Sequence, residues 1–321
     1  MDKLYAVGEA LIDFIPSERD AKLKEVTQFL PQVGGAPTNV ASCVAKLGGN
    51  AAVVTQVGDD AFGEKIEDKL KDVGVDTQYL KQTSTANTAL AFVSLTAAGE
   101  RDFAFYRKPS ADMLLEADQL TDLSFDETDF LHFCSVDLVD CPMKATHRML
   151  IDQMLEAKGT VVFDPNLRFP LWDDLDALHH TVLEFIPKAH IVKISDEELE
   201  FITRIKDKQA VIDSLFKGNV EAVIYTEGKA GAALYTKEGL IAKETGFNVE
   251  VLDTTGAGDA FIGAINYQLL THGKHKLFEE SHQFLKFANA VGALTTTAYG
   301  AIESLPTKTQ TTTFMRGKSN E

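Results

Sequence analysis

The sequence predicts an α/β fold in which a mostly parallel sheet carries helices on both faces. The first observation behind this prediction is that short apolar runs alternate with runs of helical period over most of the 321 residues. The second is that unusual polar residues follow the apolar strand patterns, as expected where ligands bind beyond the carboxyl ends of parallel strands. Residues 88–106 break the alternation and indicate a small separate sheet.

Strand patterns occur in a regular order along the chain. Runs of apolar and β-branched residues predict strands at 4–14, 25–30, 51–57, 89–96, 101–106, 130–135, 160–163, 191–194 and 222–225. A glycine-punctuated turn and return strand follow at 226–235, and residues 246–252 have an extended pattern.

Helices are predicted where apolar residues recur every three to four positions. They occupy 40–47, 62–73, 143–157, 176–186, 196–202, 210–216, 260–270 and 279 to about 296. Gly48 and Gly74 follow the first two helical patterns, and glycine commonly ends a helix. The polar tail from Thr307 is expected to fray.

The pattern at 89–106 is that of a hairpin rather than a crossover. Two runs with alternating side chains flank Ala97-Ala98-Gly99-Glu100, which is a turn signal. Together with the extended pieces at 10–33, this hairpin predicts a sheet separate from the main one. No low-complexity linker marks a boundary, so any domain division must be discontinuous along the chain.

Composition excludes several classes of protein. The 45% hydrophobic and 25% charged content is typical of a soluble globular chain, and no apolar run approaches the roughly 20 residues of a membrane helix. A net charge of −17 argues against a nucleic-acid or anionic-membrane partner. Three widely spaced cysteines and the acidic first 14 residues favour a cytoplasmic protein without a signal peptide.

The stretch Asp253-Thr254-Thr255-Gly256-Ala257-Gly258-Asp259-Ala260-Phe261 opens a predicted helix. Glycines let the backbone approach a ligand, and the first N–H groups of a helix lack internal partners. With the helix dipole, they form a site for an anion such as a phosphate. Because Asp259 would repel a bound phosphate, its presence predicts a base that takes a proton from an alcohol attacking that phosphate. The alternative is a first-turn acid beside two loop glycines.

A second glycine pair precedes the first helix. Gly34-Gly35-Ala36-Pro37-Thr38-Asn39 lies at a helix entrance, where a ligand can again approach the backbone closely. A plain turn is the alternative for Gly34 and Gly35, and a helix N-cap is the alternative for Asn39.

The two glycine stretches resemble the signature regions of the ribokinase-like (PfkB) carbohydrate kinases. Asp164-Pro165-Asn166-Leu167-Arg168 with Leu171-Trp172, and Arg107-Lys108-Pro109-Ser110-Ala111-Asp112, are most similar to the bacterial fructokinase branch. The resemblance covers roughly residues 4–306 in the same order. It implies a Rossmann-like α/β domain that binds ATP, at 1–9, 34–87 and 110–321, and a β lid over the sugar at 10–33 and 88–109. In many members the lid also forms a dimer interface.

The resemblance assigns roles around the sugar. Asp259 matches the catalytic base, and the amides of Gly256, Ala257 and Gly258 match the anion hole that phosphoryl transfer requires. Expected sugar contacts are Asp13, Gly34, Gly35, Asn39, Phe105, Arg107 and Arg168. Carboxylate and amide groups suit sugar hydroxyls. A strand-end acid for Asp13, packing between lid strands for Phe105 and an exposed loop arginine for Arg168 are the alternatives.

The resemblance also assigns the nucleotide and cation sites. ATP neighbours are Asn166, Lys193, Ser195, Thr226, Gly228, Gly231 and Asn289. Glu198 is expected to hold Mg²⁺ through water, which suits an ion that dehydrates reluctantly, and a helix-start acid is the alternative. Ser195 departs from the asparagine that is widespread in the family. Where some relatives bind a monovalent cation such as K⁺, this chain has Asp253, Thr255, Thr295, Ala298, Gly300 and Ser304.

These expectations define an ATP- and magnesium-dependent sugar kinase, with fructose as the first choice of acceptor. Aminoimidazole riboside kinase is the rival, followed by ribokinase and 2-keto-3-deoxygluconate kinase. A nicotinamide dehydrogenase would need Gly-x-Gly-x-x-Gly after the first strand, and Val7-Gly8-Glu9-Ala10 lacks it. A catalytically silent sugar-binding relative is disfavoured because Asp259 and its glycine loop are both present.

Overall fold

Two separate sheets organise the computed structural model, which describes residues 2–18, 21–95, 101–205 and 207–318. The larger sheet contains β1 (Leu4–Val7), β4 (Ala51–Gly58), β5 (Asp76–Thr83), β8 (Phe130–Phe133), β9 (Thr160–Phe163), β10 (Ile191–Ser195), β11 (Ala222–Thr226), β12 (Ala232–Thr236) and β13 (Gly239–Glu244). Its strand order is β13-β12-β11-β10-β9-β8-β1-β4-β5. Strands β5 to β11 in this order run parallel, whereas β12 runs antiparallel to both of its neighbours, β11 and β13.

Helices cover both faces of this sheet. They are α1 (Ala36–Leu47), α2 (Ala61–Asp72), α3 (Pro142–Glu156), α4 (Leu175–Phe185), α5 (Asp196–Thr203), α6 (Lys208–Leu215), α7 (Ala257–His272), α8 (Lys274–Glu279), α9 (Ser281–Thr295), α10 (Ala301–Ser304) and α11 (Lys308–Lys318). Helices α1, α2 and α7 to α9 bury apolar side chains in one core layer, and α3 to α6 do so in the other. The predicted α/β class is confirmed. Among the described residues, no helix has the length and apolar character needed to cross a bilayer.

The smaller sheet, called the lid below, contains β2 (Leu11–Pro16), β3 (Phe29–Gly34), β6 (Ala89–Leu95) and β7 (Arg101–Tyr106). Its order is β3-β2-β6-β7, with β2 and β6 parallel. One face packs Phe14 against Phe92 and against Phe62 of α2. The other carries Leu11, Asp13 and Phe105. The predicted turn at 97–100 lies outside the described residues.

The predicted single strand at 4–14 is wrong. It is two strands in different sheets, because the chain leaves the large sheet after β1. The change of direction is at Gly8, where φ is +138°. A side chain there would strike Pro37, since the Cβ position lies 2.8 Å from its Cγ. The next predicted strand, at 25–30, is shifted to β3 at Phe29–Gly34.

Other differences lie near the C-terminus and at the sheet edges. The tail expected to fray forms α11, which buries Thr311 and packs Phe314 against Phe247. Strands β5 and β13 were not predicted, because polar residues dilute the apolar pattern at these edge positions. No strand forms in the described stretch 246–252. The helix predicted at 279–296 is α9, and the short helix α8 before it was not predicted.

Candidate active site

A cavity of about 210 Å³ lies where the carboxyl ends of the parallel strands face the lid. It is lined by Glu9, Leu11, Asp13, Gly35, Ala36, Asn39, Phe105, Val136, Asn166, Arg168, Leu171, Lys193, Thr254, Thr255, Gly256, Ala257, Gly258 and Asp259. Twelve of these were predicted from the sequence as site residues. The six that sequence reasoning missed are Glu9, Leu11, Ala36, Val136, Leu171 and Thr254. Ala36 and Thr254 are adjacent in sequence to predicted site residues. The other four lie at a strand end or in a connecting segment.

Asp259 lies in the first turn of α7 and is 8% exposed. Its two carboxylate oxygens accept hydrogen bonds from Asn39 Nδ2 at 2.8 Å and from Asn166 Nδ2 at 3.2 Å. Burial raises the pKa of Asp259, while Asn39 and the charges of Arg168 and Lys193 oppose that rise. Two amide donors therefore fix the orientation of a buried carboxylate that faces the cavity.

The turn before α7 has the geometry of an anion site. Gly256 adopts a left-handed conformation with φ +72°, and its Cβ position lies only 2.9 Å from Ala301 Cβ. The N–H of Ala257 already donates to the Thr254 carbonyl oxygen at 3.3 Å. The next N–H groups, of Gly258 and Asp259, belong to a helix turn that supplies no internal acceptor. The amides of 258 and 259 are thus better placed for an anion than that of Ala257.

The lid side of the cavity depends on the glycine pair at 34–35. A Cβ on Gly34 would lie 2.0 Å from Asp13 Oδ2, and one on Gly35, where φ is +107°, would lie 2.5 Å from the Glu9 carbonyl oxygen. Both glycines therefore allow close contacts that other residues would prevent. Phe105 packs with Leu11 on the same wall, so its cavity position and its packing role coexist.

Lys193 brings positive charge to the cavity. Its ammonium forms an ion pair with Asp164, at 3.1 and 3.0 Å from the two carboxylate oxygens. Both side chains are buried. Although burial disfavours the charged ammonium, Asp164 and Glu198 raise the pKa of Lys193. Burial raises the pKa of Asp164 to about 7 in spite of the lysine. Asp164 was not predicted as a site residue.

The remaining predicted nucleotide residues lie outside the cavity lining. Thr226 ends β11, and Gly228 and Gly231 adopt left-handed conformations in the turn that follows. Asn289 donates to the carbonyl oxygens of Glu244 and Thr245 at 3.2 Å. Gly231 packs against that same strand end, with its Cβ position 2.0 Å from the Glu244 oxygen. These residues form a neighbouring group at the same edge of the sheet.

Glu198 is part of a helix cap. One carboxylate oxygen accepts from the N–H and hydroxyl of Ser195, at 2.9 and 2.8 Å, and the other from the Leu167 N–H at 2.8 Å. The described residues contain no group of three or more acidic, histidine or cysteine side chains that could hold a metal alone. A metal ion beside Glu198 would therefore need further ligands from water or a bound substrate.

Four of the residues predicted for a monovalent cation form one bonded group. Asp253 accepts from the Thr255 N–H at 2.9 Å and from the Gly300 N–H at 3.0 Å, and Ser304 donates to the Gly300 carbonyl. Thr295 instead donates to Val291 within α9, and Ala298 is exposed. The group borders the turn at Gly256 through Ala301.

The expected sugar contact Arg107 needs correction. Its side chain is buried just after β7, is not among the cavity-lining groups, and pairs with the carboxylates of Asp112 and Asp137. The sequence could not show this, because those carboxylates lie 5 and 30 residues away.

The fold and this carboxylate-with-amides geometry define a class of enzyme, and sequence comparison agrees. The chain belongs to the pfkB family of carbohydrate kinases, whose family model matches residues 1–308. These enzymes transfer a phosphoryl group to a sugar hydroxyl. Among the curated relatives, "Probable fructokinase-2" of Arabidopsis thaliana is 42% identical over 319 residues, covering 98% of this chain and 95% of the relative. The likeness is thus not confined to bacterial fructokinases.

Solved structures give the same result. A double mutant of Vibrio cholerae O395 fructokinase, in a form bound to fructose, ADP and a potassium ion, superposes with a TM-score of 0.87, at 34% identity over 98% of both chains. Aminoimidazole riboside kinase from Salmonella enterica, complexed with aminoimidazole riboside and an ATP analogue, gives 0.85 at 30% identity over 98% of this chain and 100% of its own.

Proposed function

We propose that this protein transfers the γ-phosphoryl group of ATP to the C6 primary hydroxyl of fructose and produces fructose 6-phosphate and ADP. The observation that carries the proposal is the buried Asp259 carboxylate, which two asparagine amides orient toward a cavity beside the amino end of α7. The names of the relatives support fructose as the acceptor, since one curated relative at 42% identity is a probable fructokinase.

Asp259 acts as the general base. It accepts the proton of the attacking hydroxyl, whose oxygen then forms a bond to the γ-phosphorus as the bond to ADP breaks. The first-turn amides of α7 and the Lys193 ammonium stabilise the negative charge on the transferring group. Asp164 keeps that ammonium charged and directed to the cavity.

The acceptor lies against the lid. Asp13 and Asn39 hydrogen-bond the sugar hydroxyls, the glycine pair 34–35 lets the sugar approach the chain, and Phe105 forms an apolar wall. Arg168, whose side chain also lines the cavity, contacts the sugar or the transferred phosphate. Closing such a wall excludes water and so limits ATP hydrolysis.

ATP occupies the adjoining edge of the sheet. Its phosphates lie near Asn166, Lys193, Ser195 and the turn at 226–231, and its base lies near Asn289. Magnesium bound to the phosphates would neutralise part of their charge, and Glu198 would hold it through water. Potassium binds the group around Asp253 and Gly300, whose hydrogen bonds hold it together. The potassium ion in the Vibrio cholerae fructokinase structure supports a role for this cation but belongs to that protein.

The rival acceptors are aminoimidazole riboside, ribose and 2-keto-3-deoxygluconate. Aminoimidazole riboside is a rival acceptor because the Salmonella enterica kinase that binds it is 30% identical to this chain. Fructose is preferred because the curated relatives at 38–42% identity to this chain are named as fructokinases.

The test is ADP release with ATP and each of the four acceptors in turn. We expect kcat/KM for fructose to exceed the other values by at least about tenfold. EDTA should abolish turnover, and replacing K⁺ by Na⁺ should lower it. Turnover of the riboside without turnover of fructose would reverse the choice of acceptor, and equal rates in K⁺ and Na⁺ would remove the potassium site.

We also propose a cytoplasmic homodimer joined through the lid. The three cysteines are free, which suits a reducing compartment. Leu30 and Tyr106, on the two edge strands of the lid, are 59% and 65% exposed, and an exposed edge strand offers unpaired backbone groups to another chain. Analytical sedimentation of the wild-type protein should give a dimer, and Leu30→Glu should weaken it. The control is Leu240→Glu on β13, where the leucine is 54% exposed, and it should leave the dimer unchanged. A monomeric wild-type protein contradicts the proposal.

A further inference from the structure

The large sheet and its helices are called the body here. The chain passes between the body and the lid four times. Two crossings lie back to back: residues 8–10 lead from β1 to β2, and Gly35 leads from β3 to α1. The other two are residues 84–88 and 107–110. Because Asp13 lies on the lid and Asn39 on the body, the distance between these sugar-facing side chains depends on how the crossings are held.

Glu9 ties the first two crossings together. One carboxylate oxygen accepts from the Ala36 N–H at 2.8 Å, which anchors the start of α1 one turn before Asn39. The Glu9 carbonyl oxygen packs against Gly35, where only hydrogen fits in place of a Cβ. Glu9 is 3% exposed, yet it lines the cavity.

Arg107 anchors the last crossing. Its guanidinium donates to Asp112, which follows that crossing, and to Asp137, which follows β8 beside β1 in the large sheet. All three side chains are buried. An arginine fork can hold two carboxylates at once, which a lysine cannot do with the same geometry. Arg107 thus fastens the end of β7 to the body.

We call Glu9, Arg107, Asp112 and Asp137 the Arg107 clasp. Their charges do not balance. Three buried carboxylates face one guanidinium, so full ionisation leaves excess negative charge out of water. Burial raises the pKa of Glu9 to about 8, with Asp137 adding to the rise and Arg107 opposing it. Burial likewise raises the pKa of Asp137 to about 7 against the effect of Arg107. A glutamine at position 9 therefore resembles the protonated Glu9 in shape and charge.

We propose that Glu9 and Arg107 are positioning residues for the sugar acceptor: the clasp sets the spacing between Asp13 on the lid and Asn39 on the body. Arg107 acts through its two carboxylates rather than by touching the sugar. This inference rests on the proposed sugar kinase activity but not on fructose as the acceptor.

The experiment compares Glu9→Ala with Glu9→Gln, using whichever acceptor the wild-type enzyme phosphorylates. Loss of the Ala36 tie in Glu9→Ala should raise the acceptor KM about tenfold. The KM for ATP at saturating acceptor should change by less than about twofold. Glu9→Gln keeps an acceptor oxygen and should restore the acceptor KM to within about twofold of wild type. Equal damage from glutamine and alanine, or an unchanged acceptor KM in Glu9→Ala, would overturn the proposal.

Arg107→Lys tests the other half of the clasp and retains a charge that favours folding. Its acceptor KM should rise, and the Glu9→Ala/Arg107→Lys double variant should raise it by less than the product of the two single effects, because both act on one spacing. Multiplying effects would indicate independent roles, as expected if Arg107 touched the sugar, and would overturn the shared clasp. Lys108→Ala is the matched control, since its neighbouring pair with Asp173 is exposed and should leave kinetics unchanged. If no acceptor of the panel is phosphorylated by the wild-type enzyme, the proposed function fails rather than the clasp.

Discussion

Replacing Asp259 by asparagine should lower kcat by about 10²–10⁴-fold, the usual contribution of a positioned general base. Asparagine has nearly the same shape and leaves the anion turn intact, but it cannot take up the proton of the sugar hydroxyl. ATP binding should persist while sugar-dependent ADP release collapses. The measurement is ADP release at saturating sugar together with ATP binding by calorimetry.

The matched control is Asp173→Asn, which changes an acid that is 96% exposed and should leave kcat as it is. The pH profile of the wild-type enzyme gives a second check. Only the ionised Asp259 is a base, and burial raises its pKa, so activity should fall on acidification at a pH above the ordinary range for aspartate. Asp259→Asn turnover within a few-fold of wild type would remove Asp259 from the mechanism.

The second large effect is expected from Gly34→Ala, acting on the acceptor. The added methyl would lie 2.0 Å from Asp13 Oδ2 and 2.9 Å from its Cγ, so the Asp13 carboxylate must turn away from its place. Loss of a charged hydrogen bond costs about 1.5–3 kcal/mol. The acceptor KM should therefore rise by about 10–100-fold. Gly34 does not have a positive φ, so alanine should not strain the backbone there.

A double variant separates this effect from general damage to the lid. In an Asp13→Ala background the new methyl has no carboxylate to displace, so adding Gly34→Ala should leave the acceptor KM close to that of Asp13→Ala alone. A further large increase on adding Gly34→Ala would show that the methyl acts by another route. Thermal unfolding of each variant verifies that the fold persists.

The features predictable from the sequence were those with a local signal. The turn at 256–259 was found because glycines, an acid and a helical run lie side by side, and the structure buries Asp259 at the amino end of α7. The alternation of strands and helices likewise gave the fold class. Asn39 was identified by resemblance to family members. Its hydrogen bond to Asp259 joins residues 220 positions apart, which no local pattern encodes.

The errors share a physical cause, which is that tertiary contacts decide the outcome. Residues 4–14 form one apolar run, yet Gly8 and Glu9 divide it between two sheets. The tail after Thr307 is polar, but α11 is held by packing between Phe314 and Phe247. Arginine is a common ligand contact in proteins. Only the ion pairs of Arg107 with Asp112 and Asp137 show that its side chain lies in the interior.

The strand order also constrains how the protein is made. The first strand lies inside the large sheet, and its neighbour β8 follows 126 residues later. At ribosomal rates of about 5–20 residues per second, the amino-terminal strand waits roughly 6–25 s for this neighbour to be synthesised. All four strands of the lid leave the ribosome during that interval. The side of β1 that pairs with β8 in the folded protein therefore lacks its partner throughout this interval.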